Sequence, residues 1–326
     1  MRLHHLIPII LMIFVALGMA RPKTILVVTI FSLSMIYGFH VGGRIRWSER
    51  PLPVREDYIV SAFWLSLLIV LLQLLMLRQV PLLDPSIRTQ LNPRLTALTY
   101  FLGMPLSVYL FLRGRRYALL YPFVVSLYAY RTPVLVSLIA LGAAYYEEKG
   151  LDRRTLLVGV LAALLFLLLN SFRNIGLGDL LTRVVATTSV LDVIVWRCSP
   201  FGFYHGVLQW AGVRSYFLGG YSPRMLISKY LLIRDVTTTA TLIGGIYLDF
   251  GLLGALELFL LGFYYEVLGR AKDYFTRAIY YSTLAYGIVG VETGILDLPV
   301  YALFLLGSCL ILRGLITVDV KVKRLG

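Results

Sequence analysis

Arginine and aromatic residues alternate through residues 173–254 in a pattern suited to holding a phosphate-bearing sugar. Arg173, Arg197, Arg214, Arg224 and Arg234 fall there, with Tyr221, Tyr247 and many other rings between them. A guanidinium is a planar fork of donors that stays charged at any working pH and matches phosphate oxygens two at a time. When a pyrophosphate departs, negative charge builds on it, and fixed cations stabilise that charge. The aromatic faces can stack on sugar rings, and the same faces can instead anchor a loop at lipid headgroups. For a single arginine, solvation of a loop is the plainer reading; the clustering points to a large, anionic, sugar-bearing, lipid-linked substrate. Arg131 lies outside this stretch, in an Arg-Thr-Pro step between two short apolar segments. An arginine near membrane depth is costly, and there it is either partnered or functional.

If a sugar hydroxyl attacks an activated sugar, a base must accept its proton. Asp249 stands inside Gly-Gly-Ile-Tyr-Leu-Asp-Phe-Gly, where glycines allow backbone to approach a ligand closely. A carboxylate favoured by a helix dipole is the alternative reading of that position. His205 is the sole histidine of the stretch. Glu257 is expected two turns deeper on the same helix as Asp249, functional or paired with an arginine.

Other chemistries find no support. The sequence has no phosphate-binding P-loop, no dinucleotide-binding glycine fingerprint, no Gly-x-Ser-x-Gly elbow and no zinc-type spacing among His4, His5, His40 and His205. Cys198 and Cys309 fall in different settings, and no internal disulfide is expected. The reading is therefore one without metal or cofactor, and without a nucleotide-sugar donor. It fits a donor already activated on a lipid.

The elements that must position these residues are membrane helices. Of 326 residues, 59% are hydrophobic and the mean hydropathy is +0.80, well beyond a soluble domain. Apolar runs of about 18 residues or more read as transmembrane helices. Spans are expected over residues 3–20, 24–41, 58–77, 94–112, 117–130, 134–146 and 155–171. The first is read as a retained helix and not as a cleaved signal peptide. Apolar character returns over residues 237–268, longer than one crossing and interrupted by Gly244, Gly245 and Gly251. A break is expected there, with an eighth span from about residue 248, then spans over 278–291 and 299–316. The fold class is thus an all-α polytopic membrane protein with about ten spans. It forms one domain over 1–326, with a large outer loop of short helices over 172–236.

The net charge is +14, scattered through short loops, which argues against nucleic acid as partner. With both termini cytoplasmic, inner segments hold eighteen of the thirty-one Lys and Arg and short outer loops hold six. That bias puts residues 172–236 outside the cell membrane.

The second half of the chain resembles the oligosaccharide repeat unit polymerases, the Wzy-type O-antigen polymerase family, in an archaeal-like form. The residues that carry the likeness are Leu-Gly-Gly-Tyr-Ser-Pro-Arg at 218–224, a Thr-rich approach, Gly-Ile-Tyr-Leu-Asp-Phe-Gly-Leu-Leu-Gly at 245–254, and an apolar helix ending with Gly262. The Arg-Thr-Pro at Arg131 is similar to the family's arginine at the end of a middle span. The resemblance implies metal-independent joining of polyprenyl- or dolichyl-pyrophosphate-linked oligosaccharides at the outer face. It also implies the helical membrane glycosyltransferase class, GT-C-like, shared with O-antigen ligases. Arg131 and the loop arginines would hold pyrophosphate, and Asp249 or His205 would assist the acceptor hydroxyl. A ligase moving glycan to a different acceptor and a non-enzymatic flippase for lipid-linked sugar are the rival readings.

Overall fold

A computed structural model describes residues 2–150, 159, 177–233 and 237–325. Arg173, Arg234 and, apart from residue 159, the span expected over 155–171 lie outside the described residues. The described residues form helices joined by turns, with no strand among them. In hydrocarbon each backbone N–H and C=O must find its partner within the segment, which a helix achieves.

The helices are α1 (Leu6–Leu17), α2 (Pro22–Arg44), α3 (Glu56–Leu77), α4 (Pro93–Leu112), α5 (Leu120–Ser126), α6 (Arg131–Lys149), α7 (Leu177–Arg197), α8 (Val207–Phe217), α9 (Pro223–Tyr230), α10 (Thr241–Phe250), α11 (Ala255–Leu268), α12 (Tyr274–Thr293) and α13 (Leu298–Leu325). Among the described residues, five segments are long and apolar enough to cross a membrane: α2, α3, α4, residues Thr241–Leu268, and Leu298–Leu315 of α13. The chain is a multi-pass helical membrane protein.

Two expectations change. The fifth span, 117–130, is a 3-10 turn followed by α5, whose 7 residues reach only about 10 Å. The segment read as an outer loop holds α7, a continuous helix of 21 residues. Asp179, Arg183, Asp192 and Arg197 disguise it in the sequence by interrupting its apolar run.

The chain divides into two compact units. The first comprises residues 1–49, 177–271 and 286–326. Its spine is α2 against α11, running parallel: Ser34 Oγ donates to the Ala255 carbonyl at 2.6 Å, Gly38 faces the Phe259 carbonyl, and Gly42 faces Phe263 and Glu266. Gly262 of α11 likewise backs onto the Met35 carbonyl. Small residues let the two backbones approach, the main source of attraction between helices in lipid. α7 touches Glu292 through Arg183, Gly18 through Thr188 and the Arg21 N–H through Asp192. Those partners stand at the end of α12 and the α1–α2 turn, so α7 lies across the helix ends.

The second unit comprises residues 50–176 and 272–285. α3 and α4 are antiparallel. Glu56 at the start of α3 holds Arg113 and Arg115 beyond the end of α4, each at 2.9 Å. Gln73, buried in α3, donates to the Tyr128 hydroxyl at 2.5 Å and accepts from the Asn92 N–H at 3.1 Å. A polar side chain at membrane depth is thereby satisfied.

Candidate functional site

The expected break in the 237–268 stretch falls at Gly251, whose φ of 58° and ψ of −138° end α10 before a 3-10 turn over Gly251–Gly254. A helix that stops inside a protein leaves carbonyls without partners. The segment after α7 supplies them. The N–H groups of Phe203 and Tyr204 donate to the Leu248 carbonyl at 2.8 and 3.1 Å, and His205 N–H donates to the Asp249 carbonyl at 2.9 Å. In return Leu252 N–H donates to the Pro200 carbonyl at 2.7 Å. The approach is so close that a Cβ on Gly202 would collide with the Asp249 carbonyl, and one on Gly251 with the Pro200 carbonyl.

Asp249 faces the start of α8. The residue before that helix is Gly206, which has no side chain to cap it. Both Asp249 oxygens do so from a distant element, accepting from Leu208 N–H at 3.0 Å and Gln209 N–H at 2.8 Å. The carboxylate is fully buried. The Asp249 expected to take a proton from a hydroxyl is thus committed to backbone N–H groups, where the positive end of a helix favours it. From the same turn of α8, the Gln209 side-chain amide donates to Glu257 at 2.5 Å. Gly212, one turn further, leaves room for the ring of Tyr301 from α13. The Tyr301 hydroxyl is buried and has no hydrogen-bond partner among the described residues.

The same segment carries exposed charged and aromatic residues. Arg197, Arg214, His205 and Tyr221 are all exposed. Lys229 sits over the Tyr221 ring, 5.0 Å from its centre. Arg224, at the start of α9, pairs with Asp297 at 3.0 Å. Phe203, Tyr204 and Tyr230 form an edge-to-face cluster that fixes the loop to α9, where the Tyr204 hydroxyl donates to the Leu226 carbonyl at 3.1 Å. Burial raises the Tyr204 phenol above its usual pKa, keeping it a donor.

The other sequence-chosen residues divide. Tyr247 is 2% exposed and packs toward Phe31; it is core, with no open face for a sugar, because α10 is buried all round over Thr241–Asp249. Arg131 opens α6 in the second unit, partly exposed. Gln209 and Tyr301 escaped sequence reasoning. Neither belongs to a motif, and a glutamine or tyrosine carries no charge to draw attention.

Histidine spacing gave no metal signal, yet the fold brings His4, His5 and Glu266 together, with potential ligand atoms all within 4.8 Å. Arg2 lies 2.5 Å from the same carboxylate and His4 Nε2 lies 3.0 Å from its other oxygen. A guanidinium so placed already supplies the positive charge that a metal would bring.

A multi-pass helical protein with a broken span, a loop woven into the break and exposed arginines on that segment is the class defined so far. Residues 1–304 match the model of the family described as "Putative O-antigen polymerase", and the chain belongs to that family. It is also similar, at 27% identity over 98% of its own length and 96% of the relative's, to an uncharacterized protein of Methanocaldococcus jannaschii. No solved structure matches.

Proposed function

We propose that this protein is a membrane glycosyltransferase that polymerises lipid-pyrophosphate-linked oligosaccharide repeats for a surface polysaccharide. The observation that carries the reading is family membership over residues 1–304, together with exposed Arg197 and Arg214 in the segment whose backbone closes the α10–α11 break. In this reading the chain has about ten spans of the GT-C-like class, both termini are cytoplasmic and that segment faces outward. Arg197, Arg214 and Arg224 hold the pyrophosphate of the donor. Loss of one such donor of charge typically costs about 10²–10³ in rate. Tyr221 offers a face to sugar, and exposed His205 stands among the cations. Asp249 positions α8.

The test uses lipid extracted from a strain deleted for the gene, which accumulates single lipid-linked repeats. Purified protein in detergent is expected to convert that extract into a ladder of repeats. A single transfer to a different acceptor indicates a ligase. Turnover that occurs only in sealed vesicles, with no new glycosidic bond, indicates a flippase. Either result rejects the polymerase reading.

A further inference from the structure

The carboxylates around the break are nearly all occupied. Asp249 holds α8, Asp192 accepts from Arg21 N–H, Asp297 pairs with Arg224, and Glu292 pairs with Arg183. Glu257 differs. It lies in the first turn of α11, directly after the break, and is only partly buried. One oxygen accepts from the neutral amide of Gln209. Among the described residues the other oxygen has no partner, and no cation pairs with it. An intramembrane carboxylate held this way is costly unless it serves a function.

Tyr301 is incomplete in the complementary sense. Its hydroxyl is buried with no hydrogen-bond partner among the described residues, which is unfavourable. Its ring is seated on Gly212, one turn along the same helix from Gln209, whose side chain holds Glu257. The titratable groups facing Glu257 are Asp249 from α10 and Tyr301 from α13; neither is a cation. One group lacks a donor and the other an acceptor. A hydroxyl supplies both, with one O–H and two lone pairs.

We propose that Glu257 and Tyr301 seat the acceptor sugar hydroxyl, with Glu257 as the base that takes its proton. This rests on the glycosyl transfer proposed above. The acceptor oxygen bonds to the anomeric carbon of the donor glycan. The bond from that carbon to the pyrophosphate oxygen breaks, and its electron pair leaves on the lipid pyrophosphate. The acceptor proton moves to Glu257, while Tyr301 donates to a remaining lone pair and fixes the hydroxyl's direction. Gln209 is a positioning residue: it orients Glu257, and Asp249 orients the helix that bears Gln209.

The experiment measures ladder formation from the deletion-strain lipid extract, with KM, kcat, a pH profile and thermal unfolding for each variant. Glu257→Gln is expected to lose kcat by about 10²-fold or more, keep KM and unfold near the wild-type temperature. Its residual rate is expected to lack the acidic limb of the wild-type pH profile. Tyr301→Phe is expected to lose about 10-fold in kcat with that limb intact. Should Glu257→Gln fail to fold, Glu257→Asp keeps the charge one methylene shorter and is expected to fold, with a reduced rate and the wild-type limb; a wild-type rate in that variant overturns the assignment. So does a wild-type rate in Glu257→Gln. A third overturning result is loss of rate and of thermal stability in step in Glu257→Gln, Tyr301→Phe and Gln209→Ala with an unchanged pH profile, which marks an ordered water and a structural cluster only. If the wild-type protein itself makes no ladder, the polymerase reading falls and this assignment with it. A ladder made equally well by Glu257→Gln removes this assignment alone.

Discussion

The backbone N–H of Gln209 donates to the buried Asp249 carboxylate at 2.8 Å across forty positions of sequence. That bond joins the broken span to the loop helix, and the Gln209 side chain carries the connection on to Glu257 at 2.5 Å. This geometry gives Asp249 a capping role at the start of α8.

Removing the carboxylate therefore harms both structure and rate. Asp249→Ala leaves two α8 N–H groups unsatisfied and is expected to destabilise by about 2 kcal/mol. Asp249→Asn keeps one acceptor and is expected to lose roughly half as much. Apparent Tm in detergent orders the three proteins wild type, Asn, Ala; equal values for wild type and Ala would remove the capping role.

The parallel contact of α2 with α11 depends on hydrogen in place of a side chain. A Cβ on Gly262 meets the Met35 carbonyl and one on Gly38 meets the Phe259 carbonyl, both rigid backbone. Gly262→Leu and Gly38→Leu are expected to cost about 3 kcal/mol or more each, at or above the usual range for overpacking. Monodispersity and Tm after purification report this, and a Gly262→Leu protein as stable as wild type would contradict the parallel packing.

Arg224 and Asp297 are each more than a third exposed on their side chains, so their pair contributes little to folding. A double-mutant cycle on thermal stability is expected to give under about 1 kcal/mol. Arg224→Ala is expected to raise KM for the lipid-linked donor about 10-fold or more with Tm nearly unchanged. An unchanged KM would take Arg224 out of the pyrophosphate group.

Leu218 is 76% exposed at the end of α8. In a background with Cys198 and Cys309 replaced, Leu218→Cys is expected to react with a membrane-impermeant maleimide added to intact cells. Labelling only after the membrane is opened would place this segment on the cytoplasmic side and reverse the orientation.

Much of the scaffold was legible because its signal is local. Length and hydropathy alone locate α2, α3 and α4 to within a few residues, since a spanning helix must be about 20 apolar residues long. The break near residue 251 was legible as well: three glycines in an otherwise continuous apolar run of more than thirty residues leave few other outcomes. α7 was not, because four charges on a helix lying across the helix ends read the same as a polar loop. α5 was over-read, because apolarity without length looks like a span.

The sequence by itself determined a polytopic membrane protein, its family and the arginine-rich character of residues 173–254, all properties that short windows of residue types express. Only the tertiary structure decided which polar groups answer one another. Asp249 caps α8, Tyr247 is buried in the core, and among the described residues Glu257 and Tyr301 keep open hydrogen-bonding capacity on either side of α8. Such pairings depend on which helix ends meet in space, and hydrogen bonds are satisfied or left open by distances of a few ångströms that no spacing along the chain encodes.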